Sequence, residues 1–277
     1  MSMVSEFVKE HARICQENDG ISRALYDEYG VKRGLRDEKG AGVLSGLTNI
    51  SSVKAFKFID GEKLPCEGEL LYRGYDISDL IRASSGENFA FEEAAYLLLF
   101  GELPTETELS RFKGVLSELM SLPTNFTRDV IMKATSEDIM NSMTRSILTL
   151  ASYDNLKDDL SIENVLRQSM GLISVFPMLA VYGYHAYNHY EHNSSMYIHR
   201  PDASISVAEN FLRMLRPDTK YTELEAKVLD ICLLLHMEHG GGNNSTFTTR
   251  VVTSAGTDTY SAISAAIGSI NYFSDIL

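Results

Sequence analysis

The sequence predicts a mainly α fold, built of many packed helices, with one small β hairpin near residues 53–72. From Ile77 onward, apolar residues recur at the spacing of one helix face. Around Asp60-Gly61, partial apolar–polar alternation is combined with a strong hairpin turn. Apolar residues make up 44% of the 277-residue chain, which is enough for a sizeable core. We therefore expect a globular, helical protein.

The chain up to the end of the hairpin is predicted in three parts. Residues 4–29 place apolar residues among charges at roughly helical spacing, which indicates one or two amphipathic helices. Residues 30–46 are rich in glycine and charge and predict a loop. Val53–Ile59 then predicts a strand that returns through the turn to Leu70–Tyr72. We expect no other sheet.

Helices dominate the rest of the chain. Asn88 can cap a helix that begins near Phe91 and is stopped by Gly101 and Pro104. Apolar stripes predict further helices over residues 105–121, 128–153, 161–190, 203–215 and 222–235.

Four local features refine these helices. Pro177 is expected to kink or break the long segment that contains it. Thr222 followed by Glu225 is a capping-box pattern, and Asp258 or Thr257 can cap a last helix. Residues 245–254 are β-branched enough to favour a strand.

Composition bounds the function. The formal net charge of −13 argues against nucleic acid as a partner, because its phosphates need a basic face. Cys15, Cys66 and Cys232 are far apart and odd in number, which favours free thiols in a reducing cytoplasm over a disulfide framework. The first residues are too charged for a signal peptide, and Gly171–Tyr184 is too short an apolar stretch to span a bilayer. We expect a cytoplasmic protein without a membrane partner.

The stretch after residue 235 concentrates polar groups directly behind the apolar run Ile231–Leu235. A helix that is apolar on every side is a buried helix, so we expect Cys232 in the core. The imidazoles of His236 and His239 should then open into the interior or a cleft. Spacing alone leaves two interpretations: core histidines bonded to backbone groups, or contacts to a substrate carboxylate.

Glycines and helix-capping residues follow the two histidines. Gly240–Gly242 allow the backbone to approach a ligand closely. Asn243, Asn244 and Ser245 can cap a new helix. An anion fits such a place.

Three segments together resemble the citrate synthase family, in a bacterial branch of it. They are His-Met-Glu-His-Gly-Gly-Gly-Asn-Asn-Ser at 236–245 with its continuation to 260, Leu-Tyr-Arg-Gly-Tyr-Asp-Ile-Ser-Asp-Leu at 71–80, and residues 91–104. The resemblance covers about residues 40–269. It implies the multi-helical large domain of that family, and it favours a helix over a strand at 245–254.

The resemblance also implies a function. Members condense acetyl-CoA with oxaloacetate to citrate and CoA, so coenzyme A is a substrate and product and no further cofactor is expected. The resemblance places His239 on oxaloacetate, His236 beside it in support, and Asn243 either on the substrate or as a helix cap. It implies oxaloacetate and acetyl-CoA as ligands and a homodimer as the assembly. The alternatives are 2-methylcitrate synthase activity of a longer parent, or a non-catalytic dimerisation or scaffold fragment.

The family's catalytic aspartate and two catalytic histidines fall beyond the position of His239. A Gly-Pro-x-His-Gly-Gly-Ala-Asn segment is expected just after Ser269, but this chain reads Ile270–Leu277 there. No catalytic residue is therefore assigned. The expectation is that residues 1–277 form a truncated large domain that is inactive alone.

Competing interpretations of individual residues remain. Zinc at His236, Glu238 and His239 is disfavoured because a metalloprotease helix needs its histidines four apart, and no metal residue is assigned. A metal-dependent hydrolase is the third functional class.

Two further interpretations rest on side-chain spacing. His185, His189 and His192 have ligand-like helical spacing, but a polar, partly solvated helix end explains them better. Arg73 is interpreted as a structural arginine bonded to Asp76 or to a backbone carbonyl.

Overall fold

A computed structural model describes residues 22–30, 48–83, 89–238, 240 and 243–270. The chain divides into two compact units, residues 1–46 and residues 47–277. Within the first unit, helix α1 spans Arg23–Glu28, which agrees with helical spacing over residues 4–29. The rest of that prediction, and most of the predicted loop, lie outside the described residues.

The second unit opens with the predicted hairpin. Strands β1 (Ser51–Ile59) and β2 (Glu62–Tyr72) pair antiparallel, and the short β3 (Tyr75–Asp76) adds a third strand that the sequence did not predict. Asp60 and Gly61 have φ of 52° and 85°, as a two-residue primed turn requires. The sheet order is β1-β2-β3.

Nine helices follow in the described part of the second unit. They are α2 (Ile77–Ala83), α3 (Ala90–Phe100), α4 (Glu106–Leu119), α5 (Ile139–Leu150), α6 (Ile162–Glu191), α7 (Val207–Leu215), α8 (Glu223–His236), α9 (Asn244–Ser254) and α10 (Thr259–Gly268). A π-helical segment, Thr127–Ile131, and a 3₁₀ turn, Ala151–Tyr153, flank α5. The mainly α prediction and the helical choice at 245–254 are confirmed.

Two helix predictions are wrong in detail. Residues 128–153 do not form one helix, because the π-helical segment ends at Ile131 and α5 begins only at Ile139. The apolar spacing fits a helix because both pieces bury apolar faces in one core. Of the two effects expected of Pro177, the break is absent, because α6 runs uninterrupted for 30 residues, and the kink stays a prediction. Near this proline, Val175 and Met178 are buried, so packing offsets the helix hydrogen bond that proline lacks.

Local capping predictions are confirmed. The side chain of Thr222 accepts from the backbone N–H of Glu225 while the Glu225 carboxylate accepts from that of Thr222, completing the box at α8. Asp258 caps α10 through the N–H of Ser261 at 2.9 Å. Asn88 lies outside the described residues.

The main core surrounds α6. Buried side chains of α5, α6, α7, α10 and the π-helical segment form its largest cluster. At one point α5 and α6 approach very closely, because a Cβ on Gly183 would lie 3.4 Å from Ser142 Oγ. Among the described helices, α6 has the length and composition to cross a membrane, but many of its residues are buried in this core.

One carboxylate joins the C-terminal helix to this core. Asp154 Oδ2 accepts from Arg167 Nη2 at 2.7 Å, Tyr260 Oη at 2.9 Å and Gln168 Nε2 at 3.1 Å. Burial alone would raise the pKa of Asp154, but hydrogen bonds from Arg167, Gln168 and Tyr260 lower it to about 2. The carboxylate is therefore held charged between α6 and α10.

Two further carboxylates, which are buried whereas Asp154 is only partly so, act as caps for helices distant in sequence. Asp230, on α8, accepts from the N–H groups of Ala90 at 2.7 Å and Phe91 at 3.1 Å at the start of α3. Glu92 Oε1 accepts from Val207 N at 2.7 Å at the start of α7, and its Oε2 has no partner among the described residues. Burial raises the pKa of both carboxyl groups.

Helix α8 is buried on one face only. Leu234 is fully buried, whereas Leu224, Val228 and Leu235 are 73%, 53% and 40% exposed, and Cys232 is exposed. The prediction of a helix buried on every side, with Cys232 in the core, is wrong. An all-apolar sequence does not reveal which neighbours cover it, and the described part of the chain covers only the Leu234 side.

Candidate functional site

The turn between α8 and α9 carries the residues that the sequence predicts as a binding site. His236 is the last residue of α8, and Asn243 is the N-cap of α9. Only Met237, Glu238 and Gly240 are described between them; His239 lies outside the described residues. The fold therefore brings His236 and Asn243 to the two ends of one short turn.

His236 lies at the surface and not in the interior, so the expectation that its imidazole opens inward is wrong. Its Nδ1 is 2.7 Å from the carbonyl oxygen of Cys232. A carbonyl can only accept, so Nδ1 carries the proton in this contact. This tautomer leaves Nε2 as the ring nitrogen that can meet a ligand.

Asn243 organises the start of α9. Its Oδ1 accepts from Ser245 Oγ at 2.6 Å and from Thr246 N at 2.7 Å, and its Nδ2 is 3.5 Å from the Gly240 carbonyl oxygen. Of the two roles that the sequence left open, the structure shows the cap. A contact with substrate stays a prediction.

Gly240 is the residue that lets the chain leave α8 sharply. Its φ is +96°, a conformation that side chains other than glycine rarely adopt. A Cβ there would also come within 3.5 Å of Val53 Cγ2 on β1. The predicted close approach of the glycines to a ligand stays a prediction; in the structure Gly240 lies against the hairpin.

Glu238 ties this turn together and to the hairpin. Its Oε1 accepts from Gly240 N at 2.7 Å and from Ser51 Oγ at 3.1 Å. The sequence marked Glu238 only as a weak zinc ligand. Nothing in a single sequence indicates that it meets a serine 187 residues earlier.

Tyr72, at the end of β2, contacts the residues on both sides of the end of α8 through its hydroxyl. It is fully buried, and its hydroxyl lies 2.8 Å from the Leu234 carbonyl oxygen, 3.0 Å from that of Glu238 and 3.2 Å from Glu238 N. Burial raises the pKa of Tyr72, so the phenol stays protonated at neutral pH. The family resemblance included this tyrosine in a motif, but no pattern assigned it to the site.

Arg73 has a structural role, as interpreted from the sequence. Its Nη2 and Nε donate to the Leu98 carbonyl oxygen at 2.8 and 3.3 Å, and its Nη1 donates to Asn49 Oδ1 at 3.0 Å. Of the two partners proposed, the backbone carbonyl is correct. The carboxylate of Asp76 instead accepts from Ser78 N.

The histidines of α6 have separate contacts. His185 Nε2 is 3.1 Å from the Met214 carbonyl oxygen, His189 Nδ1 is 2.8 Å from that of Ser194, and the His192 ring packs edge-on against Tyr187. Within the described ranges, no group of His, Cys, Asp or Glu side chains is arranged to hold a metal ion.

Comparison with known proteins identifies the family. The model of the citrate synthase C-terminal domain matches residues 39–271, most of the chain. The chain belongs to the citrate synthase family.

Individual family members agree with that assignment. The citrate synthase of Haloferax volcanii is 33% identical over 246 residues, which are 87% of this chain and 57% of that protein. The 2-methylcitrate synthase of Shewanella oneidensis is 32% identical over 201 residues, 73% of this chain and 50% of that protein. The crystal structure of the Pyrobaculum aerophilum citrate synthase has a TM-score of 0.68 at 29% identity, covering 83% of this chain and 53% of that one. The chain thus spans about half the length of the curated relatives it matches.

Proposed function

We propose that this chain forms the oxaloacetate-binding part of an enzyme that condenses acetyl-CoA with oxaloacetate to citrate and CoA. Family membership over residues 39–271 supports this proposal. The carrying observation in the structure is the turn at Glu238 and Gly240, which hydrogen bonds fix directly beside His239. A fixed turn keeps the entropic cost of placing a ligand contact low.

The chemistry of the turn suits a small dicarboxylate. A protonated imidazole donates a charge-assisted hydrogen bond to a carboxylate oxygen. His236 presents Nε2 at the end of α8, since its Nδ1 is engaged. His239, three residues on, is assigned the direct contact by family resemblance, and Asn243 the support of the turn.

The proposed function leaves open which acyl-CoA is the acyl donor. Relatives of similar identity carry the names citrate synthase and 2-methylcitrate synthase. The two products differ by one methyl group, so the donors differ by one methylene, a difference that a pocket discriminates by only about 1–3 kcal/mol. Steady-state assays that compare acetyl-CoA with the acyl-CoA longer by one methylene decide between citrate synthase and 2-methylcitrate synthase activity. The expectation that the 277-residue chain is inactive alone stays a prediction, and the same assays test it.

The exposed face of α8 favours a second candidate, a scaffold that pairs with another copy of the chain. Leu224, Val228 and Leu235 lie on this face and are exposed. Contiguous apolar surface of this kind marks interaction sites. Light scattering at micromolar concentration tests the pairing; a strictly monomeric chain would count against it.

Titration calorimetry with oxaloacetate tests the binding site. Two charge-assisted hydrogen bonds contribute roughly 3–6 kcal/mol together, so we expect a dissociation constant of about 1 mM, equivalent to about 4 kcal/mol. His239→Ala should abolish the heat of binding. His192→Ala, which removes an exposed histidine directly after α6, is the matched control and should leave binding unchanged. Equal affinity of the His239→Ala and unaltered chains would place the site elsewhere.

A further inference from the structure

The hydroxyl of Tyr72 takes the place of a helical hydrogen bond. In a continued α-helix, the N–H of Glu238 would donate to the carbonyl of Leu234, four residues earlier. Instead, Glu238 N donates to Tyr72 Oη at 3.2 Å, and Tyr72 Oη donates to the Leu234 oxygen at 2.8 Å. The phenol is inserted between the two partners.

This insertion coincides with the end of α8. The helix ends at His236, and the Met237 N–H reaches the Leu234 oxygen only in the three-residue pattern, at a long 3.4 Å. A group inserted into the helical ladder opens it at that point. Because Leu234 and Tyr72 are both fully buried, the carbonyl depends on this hydroxyl as a donor.

The sequence gives α8 no stop signal of its own at this point. Met237 and Glu238 are both good helix formers, and Gly240 lies two residues further on. Without an external partner, the helix is free to continue until Gly240. We therefore attribute the end of α8 at His236 to Tyr72, the last residue of β2.

We propose that Tyr72 is a positioning residue whose hydroxyl ends α8 at His236 and so sets the direction of the turn at Glu238 and Gly240 that leads to Asn243. The link to oxaloacetate rests on the proposed function, whereas the effect on the helix end does not. Ending the helix early also frees Glu238 to bind Gly240 N and Ser51 Oγ.

Removing the Tyr72 hydroxyl should lengthen α8. In Tyr72→Phe, the Glu238 N–H bonds directly to the Leu234 carbonyl and α8 gains residues 237 and 238. Each added helical residue turns the chain by about 100°, so Glu238 can no longer reach Gly240 N. The turn that leads from α8 to Asn243 then loses this hydrogen bond.

The matched control is Tyr182→Phe on α6. Tyr182 is also buried, at 3% exposure, and its hydroxyl donates to a carbonyl, that of His199, at 2.7 Å. Both variants lose one phenolic oxygen from a buried site. Only Tyr72→Phe removes it from the end of α8.

Amide exchange and Cα chemical shifts measured by NMR test the helix end without any ligand. Tyr72→Phe should move the Cα shifts of Met237 and Glu238 to helical values and speed exchange at the Gly240 amide about tenfold or more, since it loses its acceptor. Tyr182→Phe should change neither. Unchanged shifts and exchange in Tyr72→Phe overturn the proposal.

A second variant separates the hydroxyl from the carboxylate. Ser51→Ala cuts the hairpin contact of Glu238 Oε1 without touching the core, and the helix should still end at His236. If Ser51→Ala alone extends α8, Glu238 and not Tyr72 sets the end, and the proposal is wrong.

Oxaloacetate titration of the same variants tests the consequence for binding. Tyr72→Phe should weaken binding tenfold or more while Tyr182→Phe matches the unaltered chain. Equal affinities of Tyr72→Phe and the unaltered chain overturn the positioning role. If the unaltered chain itself binds no oxaloacetate, the proposed function fails, and the exchange data still decide whether Tyr72 ends the helix.

Discussion

Two regions of this protein use carboxylates of low exposure to join helices, with opposite electrostatics. Asp154 joins α6 to α10 and is surrounded by donors that include the guanidinium of Arg167. Glu92 and Asp230 join α3 to α7 and α8 with backbone N–H donors alone, and Lys113 acts on them only as a nearby charge. The pKa of Asp154 is lowered to about 2, whereas those of the other two are raised.

The difference shows that low exposure at a helix junction does not by itself decide whether the pKa of a carboxyl group is lowered or raised. Side-chain donors outweigh the cost of burial at Asp154, but at Glu92 one oxygen remains without a partner in the described structure. A charged carboxylate is therefore strongly stabilising at Asp154, whereas the charged form is costly at Glu92.

The largest expected effect comes from removing the charge of Asp154, and the same change at Glu92 is the comparison. Asp154→Asn should lower the free energy of unfolding at pH 7 by about 2–4 kcal/mol, because Arg167 and Tyr260 lose a charged acceptor. Glu92→Gln should stay within about 1 kcal/mol of the unaltered chain, since an amide oxygen still accepts from Val207 N. Urea unfolding measures both, and equal losses would remove the contrast between the two regions.

The pH dependence should have opposite signs in the two regions. The pKa of Asp154 is lowered from 3.8, so its contribution is present above pH 3.8 and is lost as the pH falls toward 2. The pKa of Glu92 is raised from 4.5, so its contribution is full below pH 4.5 and is lost as the pH rises through the folded value. Glu92→Gln should therefore flatten the fall in unfolding free energy above pH 4.5. A slope that is the same with and without Glu92 would contradict this assignment.

The smallest effect is expected where a carboxylate has a cation but no burial. Arg82 Nη1 is 2.8 Å from Asp79 Oδ1 on α2, with both side chains mostly exposed. Arg82→Ala should change the unfolding free energy by no more than about 0.5 kcal/mol. A loss comparable to that of Asp154→Asn would show that the ion pair alone, and not the low exposure of Asp154, gives Arg167 its importance.

The sequence predicts those features whose cause lies within a few residues. The sequence predicts the Thr222–Glu225 box, the Asp258 cap and the Asp60-Gly61 turn because each depends on residues no more than three positions apart. The helix at 245–254 was chosen by resemblance against its β-branched composition, and the Asn243 cap gives it a physical reason.

Features that depend on distant partners were missed. Asp230 caps a helix that starts 140 residues earlier, and Tyr72 meets the end of α8 from 162 residues away. Periodicity cannot reveal either contact. It also could not show that α8 is covered on one side only, which is why Cys232 was misplaced. His236 and Asn243, two of the residues predicted to bind substrate, lie at the two ends of one turn, and their binding role stays a prediction; the groups that shape the turn come only from the structure.

The close crossing of α5 and α6 links two positions in how the protein can change. A methyl group at position 183 would approach Ser142 Oγ to 3.4 Å and Ile139 Cγ2 to 3.8 Å, a spacing at which dense interiors have little room to yield. Alanine at residue 183 would therefore make ordinary contacts, whereas a larger side chain depends on a reduction at residue 142, where serine leaves only alanine or glycine. We expect substitutions at the two positions to be coupled, with residue 142 becoming smaller before residue 183 becomes larger than alanine.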